Sequence, residues 1–318
     1  MIKRALLVGI DQYDCMPPLR GCVNDVNALF PLLARNEDNL RNFHCEVRTS
    51  AADRVDRHSL LNDIKALFAP GADVALLYYA GHGEGSDSDV AIATQDGKSP
   101  ELGITLSSIL GTVRDSTAQE VVIILDCCYA GGAAGLPQLG GNVSALRNGL
   151  SILSACRKDQ SAAETKEGRG LFSSYLCGAL DGGAADVMGK VTIANIFGYL
   201  SESFGAWGQR PTFKTSVDRL HELRRCAPWV PIAELRRLPE IFPEQDGLLR
   251  LDPSYEPSAK PGHPDNEATF AILQRFRSAK LLEPVGADHL YFAAMQKKKC
   301  RLTPLGKLYW LMAKKGQF

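Results

Sequence analysis

Along the first two-thirds of the chain, short apolar runs alternate with longer amphipathic stretches. Runs at residues 5–10 (A-L-L-V-G-I), 74–80 (V-A-L-L-Y-Y-A), 121–125 (V-V-I-I-L) and 150–155 (L-S-I-L-S-A) are nearly continuous. Such runs predict strands buried on both faces of a parallel sheet. Residues 45–49 add a shorter strand. Helices are predicted between them. Residues 24–35 place Val26, Leu29, Phe30 and Leu33 on one stripe, with Pro31 imposing a kink or a later start. Residues 55–68 space Leu60, Leu61, Ile64, Leu67 and Phe68 at three and four. Residues 106–113, 171–180 and 192–204 complete the helices. The polar stretch 84–100 reads as mostly loop with a short strand at 90–93, and 133–147 reads as loop. Strands alternating with helices through short connections specify an α/β class with a mostly parallel sheet.

The texture changes near Ala227. Six prolines and no strand signal fill residues 239–264. Beyond them, residues 266–282 form a periodic helix carrying Phe270, Ile272, Leu273 and Phe276. Residues 289–303 read as a hairpin with Gln296–Lys299 at its tip, and 304–315 as a closing helix. The division expected is a domain at 1–222, a linker or irregular lobe at 223–264, and a small α+β winged-helix-like domain at 265–318.

Composition narrows the function classes. Of the 318 residues 45% are hydrophobic and 23% charged, an ordinary globular balance. The formal net charge is zero, but residues 1–220 hold 20 Lys and Arg against 25 Asp and Glu, and residues 221–318 hold 16 against 11. That asymmetry agrees with two units and is modest for a nucleic-acid binder, so nucleic acid is not expected as a partner, although Lys297-Lys298-Lys299 make a basic cluster. Nine cysteines show no Cys-x-x-Cys spacing. An odd count without a signal-like N-terminus points to free thiols in the cytoplasm. No run approaches the length of a membrane span.

Two of the apolar runs end in reactive residues. Val74–Ala80 leads into Gly81-His82-Gly83, and the run at 121–125 into Asp126-Cys127-Cys128. Strands of parallel sheets deliver such groups at their carboxyl ends, where ligand crevices form. A cysteine and a histidine at two such ends suggest a thiol nucleophile with an imidazole partner. His82 would take the thiol proton and return it to a leaving amine, and the Gly83 N–H would help to bind the oxyanion. No metal or organic cofactor is needed. Singly, each residue also has an ordinary structural role; the joint placement is what singles them out.

These residues resemble a known family. Tyr78-Tyr79-Ala80-Gly81-His82-Gly83 followed by Asp126-Cys127-Cys128-Tyr129-Ala130-Gly131 is similar to the caspase-like cysteine peptidases, more closely to their metacaspase and prokaryotic branch. Leu19–Asp25, Ser154-Ala155-Cys156 and Gln209-Arg210-Pro211-Thr212 extend the likeness over about residues 1–215. The resemblance implies the caspase-haemoglobinase fold and a zymogen-type protease that bacteria often use in stress or immune signalling. Its D-x-C-x-x-G block places the nucleophile at Cys128. Strand alternation then makes Cys127 the buried neighbour.

The resemblance also implies specificity. Asp25 and Asp126, with Cys22 nearby, match an acidic pocket for a substrate Arg or Lys, since a carboxylate pair suits a guanidinium. Asp25 is alternatively a helix N-cap. Ala80 stands where many metacaspases carry Ser. Arg147 and Arg169, expected on exposed loops, are candidate self-cleavage sites. Glu84, Asp87, Asp89 and Asp96 are candidate Ca²⁺ ligands or simply a solvated acidic loop; the expectation is no cofactor. Partners expected are protein or peptide substrates cut after Arg or Lys, and a regulatory protein through the C-terminal domain. The rival reading is a catalytically silent caspase-like scaffold or adaptor, and a third is a DNA-binding regulator led by the tail.

Overall fold

In a computed structural model, residues 1–85, 89–127, 147–155, 168–204, 211–260 and 262–318 are described. The first compact unit comprises 1–185 and 190–226. It is built around β1 (Lys3–Gly9), α1 (Cys22–Ala34), β2 (His44–Thr49), α2 (Arg57–Phe68) and β3 (Val74–Ala80). The chain continues through β4 (Gly83–Gly85), β5 (Val90–Lys98), β6 (Glu101–Thr105), α3 (Leu106–Arg114), β7 (Glu120–Asp126) and β8 (Leu150–Ser154). It closes with α4 (Leu171–Gly178), a π-turn at Ala179–Gly183, β9 (Lys190–Val191), α5 (Ile193–Phe204), β10 (Thr212–Ser216) and β11 (Arg224–Arg225).

The main sheet has the order β10-β8-β7-β3-β1-β2. All its pairs are parallel except β10 on β8. Side chains alternate between two cores, as the pleat requires. Ala5, Leu7, Leu76, Tyr78, Val122 and Ile124 pack with α1, α4 and α5. Leu6, Val8, Leu77, Tyr79, Ile123 and Leu125 pack with α2 and α3 on the opposite face. The chain leaves β1 in one direction to β2 and returns on its other side to β3. The carboxyl ends of β1, β3 and β7 therefore border the switch point where open α/β sheets hold ligands. A Cβ on Gly9 would stand 2.5 Å from the Cys22 carbonyl oxygen and 2.9 Å from Val26 Cγ2. That close approach seats the first turn of α1, with Asp25, at this edge.

Several expectations require correction. Residues 84–100 are not mostly loop: β4, β5 and β6 form a three-stranded antiparallel sheet. Thr94 and Gln95 are polar yet buried, and the Gln95 Oε1 accepts the Val55 N–H at 2.6 Å, so polarity there is not exposure. Pro31 lies inside an unbroken α1. The strand β10, which pairs antiparallel with β8, went unforeseen.

The second unit comprises 186–189 and 227–318. It holds α6 (Ile232–Leu235), α7 (Leu238–Ile241), β12 (Leu249–Arg250), a 3₁₀ turn at Pro253–Tyr255, α8 (Pro264–Ser278), β13 (Leu282–Val285), α9 (Leu290–Met295), β14 (Lys299–Leu302) and α10 (Pro304–Lys314). The proline-rich stretch belongs to this unit, because Leu235, Leu238, Phe242 and Leu251 enter its core beside Phe270, Leu273 and Phe276. The hairpin expected at 289–303 is instead α9 followed by β14, whose partners are β12 and β13. Leu290, Ala293 and Ala294 recur at helical spacing and are buried. Lys297 lies in the turn between α9 and β14, so no basic hairpin tip forms, and the winged-helix expectation loses the hairpin on which it rested. Among the described residues, no helix is long and apolar enough to cross a membrane.

Candidate active site

The ends of β3 and β7 are tied together. Ala80 pairs with Asp126, and the Gly81 N–H reaches the Asp126 carbonyl at 3.3 Å. The Gly81 Cβ position is filled by neighbouring hydroxyls, those of Tyr79 and, 2.6 Å away, Tyr13, so a side chain there would displace the groups that hold His82. The His82 backbone is then fixed from three directions. Its N–H donates to Tyr13 Oη at 2.8 Å. Its carbonyl accepts from the Ala93 N–H at 3.0 Å and lies 2.7 Å from Tyr79 Oη.

The ring is fixed too. His82 Nε2 is 2.8 Å from the Pro17 carbonyl oxygen, and the Tyr13 and His82 rings are 4.8 Å apart. A carbonyl can only accept, so Nε2 carries the proton in this arrangement and Nδ1 is left as the basic nitrogen. Gly83 opens β4 opposite Ile92.

Asp126 turns toward α4, where Ser173 Oγ donates to its Oδ2 at 2.5 Å; Tyr78 Oη lies 2.5 Å from the same Ser173 oxygen. Cys127, one residue on, is 1% exposed and belongs to the opposite core. This opposition fits the expectation that Cys127 is the buried neighbour. Cys128 itself lies outside the described residues, as do Asp87, Cys156, Gln209 and Arg210.

Asp25 is 2% exposed on the first turn of α1. It does not cap that helix. Gly21 is the N-cap residue, and the Asp11 carboxylate accepts the Cys22 N–H at 2.9 Å and the Val23 N–H at 3.3 Å. Both Asp25 oxygens instead lie 3.1 Å from the Gly170 nitrogen, and Arg169 Nε is 3.6 Å from Oδ1. A Cβ on Gly170 would stand 2.9 Å from Asp25 Oδ2 and 3.2 Å from Asp126 Oδ2. One methyl group would touch both carboxyls, so the two acids share a site. Burial, and then the charge of Asp126, push the Asp25 carboxyl up to about 7, against the Gly170 N–H and Arg169, which lower it. Burial pushes Asp126 up to about 6, with Ser173 and Tyr78 opposing. Cys22 sits beside them, its thiol pushed far up by burial and by Asp11, Asp126 and Asp25. It is therefore a neutral wall of the site rather than a nucleophile.

Neither candidate cleavage arginine is exposed. Arg147 is half-buried with Nη2 donating to the Ala118 carbonyl, and the Arg169 side chain is 25% exposed against Asp25. Of the acidic loop, Asp89 accepts from Val90 N–H and from Ser107, and Asp96 accepts the Arg57 N–H at 3.0 Å. These two therefore stabilise the starts of α3 and α2. Among the described residues no three His, Cys, Asp or Glu side chains group as metal ligands. Tyr13, Pro17, Gly170 and Ser173 were not singled out from sequence. Tyr78 and Tyr79 lay inside a motif, whereas these four meet the site through contacts between distant segments.

The raised acids have a consequence for stability. In the unfolded chain an Asp titrates near 3.8, whereas folded Asp25 holds its proton up to about 7. Between those values the folded state binds more protons, so stability falls as pH rises through that window. Asp25→Asn removes the cost of the buried charge, which is on the order of 2 kcal/mol. Its Tm should exceed that of the parent by roughly 5 °C at pH 8, with the gap closing toward pH 5 in differential scanning calorimetry. A gap that widens on acidification would contradict the assignment.

Three comparisons bear on the fold and the site. A family model described as the caspase domain matches residues 2–219. Metacaspase-1 of Eremothecium gossypii is 28% identical over 157 residues, covering 43% of this chain and 34% of that protein. Metacaspase-3 of Trypanosoma cruzi is 26% identical over 231 residues, covering 61% and 62%. The chain spans about a third to a half of the length of the first curated relatives it matches. A crystal structure of a Geobacter sulfurreducens protein matches 72% of this chain and 98% of its own, with a TM-score of 0.51 at 17% identity, a likeness of fold alone.

Proposed function

Because the chain belongs to the caspase-domain family, whose model spans 2–219, we propose that it is a cysteine endopeptidase cutting after Arg or Lys, with Cys128 as nucleophile and His82 as acid and base. The observation carrying this reading is the seating of His82. Its Nε2 is tied to Pro17, leaving Nδ1 basic, at a strand end that is bonded to the strand running into Asp126-Cys127-Cys128. In the proposed reaction the Cys128 thiol gives its proton to the imidazole and the thiolate attacks the scissile carbonyl carbon. The oxyanion is held by backbone N–H groups, with that of Gly83 proposed as one of them. The imidazolium then protonates the leaving amine, and water hydrolyses the thioester. The carboxyl pair Asp25 and Asp126 supports a cationic side chain before the cut. The second unit contains none of these residues, and its part in the proposal is regulatory.

The test is a fluorogenic peptide panel with Arg, Lys or Asp at the cut position, run with and without Ca²⁺. Cleavage of the Arg and Lys peptides and not of the Asp peptide is expected. Preference for Asp would refute the pocket assignment.

A further inference from the structure

Asp25 already has a cation beside it. Arg169 places Nε 3.6 Å from Asp25 Oδ1 and Nη2 3.2 Å from Cys177 Sγ. The backbone on both sides of this arginine is pinned to α1. Asn24 Nδ2 donates to the Gly168 carbonyl at 3.2 Å, and the Gly170 N–H is shared between the two Asp25 oxygens. Residue 170 has no side chain, and a Cβ there would crowd both carboxyls. The arginine one position earlier therefore supplies the positive charge at this site. Its side chain is 25% exposed overall, against 3% for that of Asp25, while its Nε is buried beside the acid.

Resting on the reading of Asp25 and Asp126 as the pocket for a basic side chain, we propose that Arg169 is a specificity-determining residue of that pocket: an internal guanidinium that occupies one carboxylate and competes with the incoming one. Once both carboxylates are ionised, Arg169 offsets the charge of Asp25, and that of Asp126 is left for a substrate cation. Such a site favours a guanidinium over an ammonium. A planar fork can share carboxylate oxygens with a neighbouring guanidinium at defined angles, whereas a strongly hydrated point charge gains less. An incoming Arg either displaces Arg169 from Asp25 or settles on Asp126 beside it, and in both cases the internal cation raises the concentration of substrate required.

The experiment compares the full-length chain with Arg169→Gln, which keeps length and removes charge, and with Arg169→Lys. Benzamidine serves as the guanidinium-like probe, titrated by calorimetry into Cys128→Ala backgrounds, and KM and kcat are measured separately for Arg and Lys peptides. Arg169→Gln should bind benzamidine roughly tenfold more tightly and lower KM for Arg peptides by a similar factor, with Arg169→Lys between it and the parent. The Arg-over-Lys preference should narrow in the same order. Unchanged or weaker benzamidine binding in an Arg169→Gln protein with the parent's melting temperature would overturn the proposal, since Arg169 would then be a support rather than a competitor. If Arg169→Gln fails to fold, Arg169→Lys decides by the same criterion. No benzamidine binding to either protein, with no cleavage after Arg or Lys, overturns it through the pocket reading itself.

Discussion

Replacing His82 with Ala is expected to lower kcat/KM for an Arg peptide by roughly a thousandfold or more, and Cys128→Ala should do the same. The double variant should be no worse than either single one, because nucleophile and base act as a unit. The physical reason lies in how His82 is held. Tyr13 Oη accepts its N–H, Ala93 donates to its carbonyl and the Pro17 carbonyl accepts the Nε2–H hydrogen bond, which leaves Nδ1 for the proposed base role without reorganisation. Cys127→Ala is the control. That residue is 1% exposed in the core under α2 and α3, so its loss should reduce stability and leave the rate constant for peptide cleavage near that of the parent. Cleavage assays paired with mass-spectrometric mapping of iodoacetamide labelling check this. Labelling at Cys127, with activity surviving in Cys128→Ala, would invert the assignment.

Tyr78 and Tyr79 alternate to opposite faces of β3, so one strand reaches both His82 and, through Ser173, Asp126. Tyr79 lies against the His82 backbone on one side. Tyr78 lies 2.5 Å from Ser173, which donates to Asp126, on the other. His82 and Asp126, the proposed base and the proposed specificity carboxyl, are thus oriented by consecutive residues of a fully buried strand. Local rigidity of this kind converts fold stability into positional accuracy.

How far this was legible in the sequence depends on whether polarity tracked exposure. The β3 run has no polar interruption, and its bounds were read to the residue. The His82 and Cys128 motifs follow the ends of such runs, so the strand reading led directly to the candidate chemistry. The β5 strand was read short, because Thr94 and Gln95 are polar yet buried, and Gln95 is satisfied from Val55, a contact that no local pattern encodes. The helix α9 is six residues long, too short for periodicity to separate it from a strand. The partners of Asp25 come from Gly170, 145 residues away, and that of Asp126 from Ser173, 47 residues away. Sequence named both acids; only the packing of α1 against α4 reveals what restrains them.

The second large effect expected is at Asp126. Asp126→Ala should reduce kcat/KM for Arg peptides roughly a hundredfold to a thousandfold, and the loss should fall mainly on KM. Charge-assisted hydrogen bonds contribute about 1.5–3 kcal/mol each, and a guanidinium meeting a carboxylate makes two. A loss of about 3–4 kcal/mol then corresponds to that range. On the proposed reading Asp126 should be the larger determinant of the two acids, because Arg169 lies beside Asp25. Asp25→Asn should accordingly cost less with the same peptide. The acids also set a pH dependence. With Asp126 titrating near 6 and Asp25 near 7, the pocket gains negative charge as pH rises through that interval, and KM for Arg peptides should fall over it. Asp126→Ala should flatten the acid limb of that profile, whereas a peptide with a neutral residue at the cut position should show no such limb in the parent. Steady-state kinetics between pH 5 and 8 decide the point. An Arg peptide whose KM is indifferent to both Asp126→Ala and pH would mean that its cation binds elsewhere.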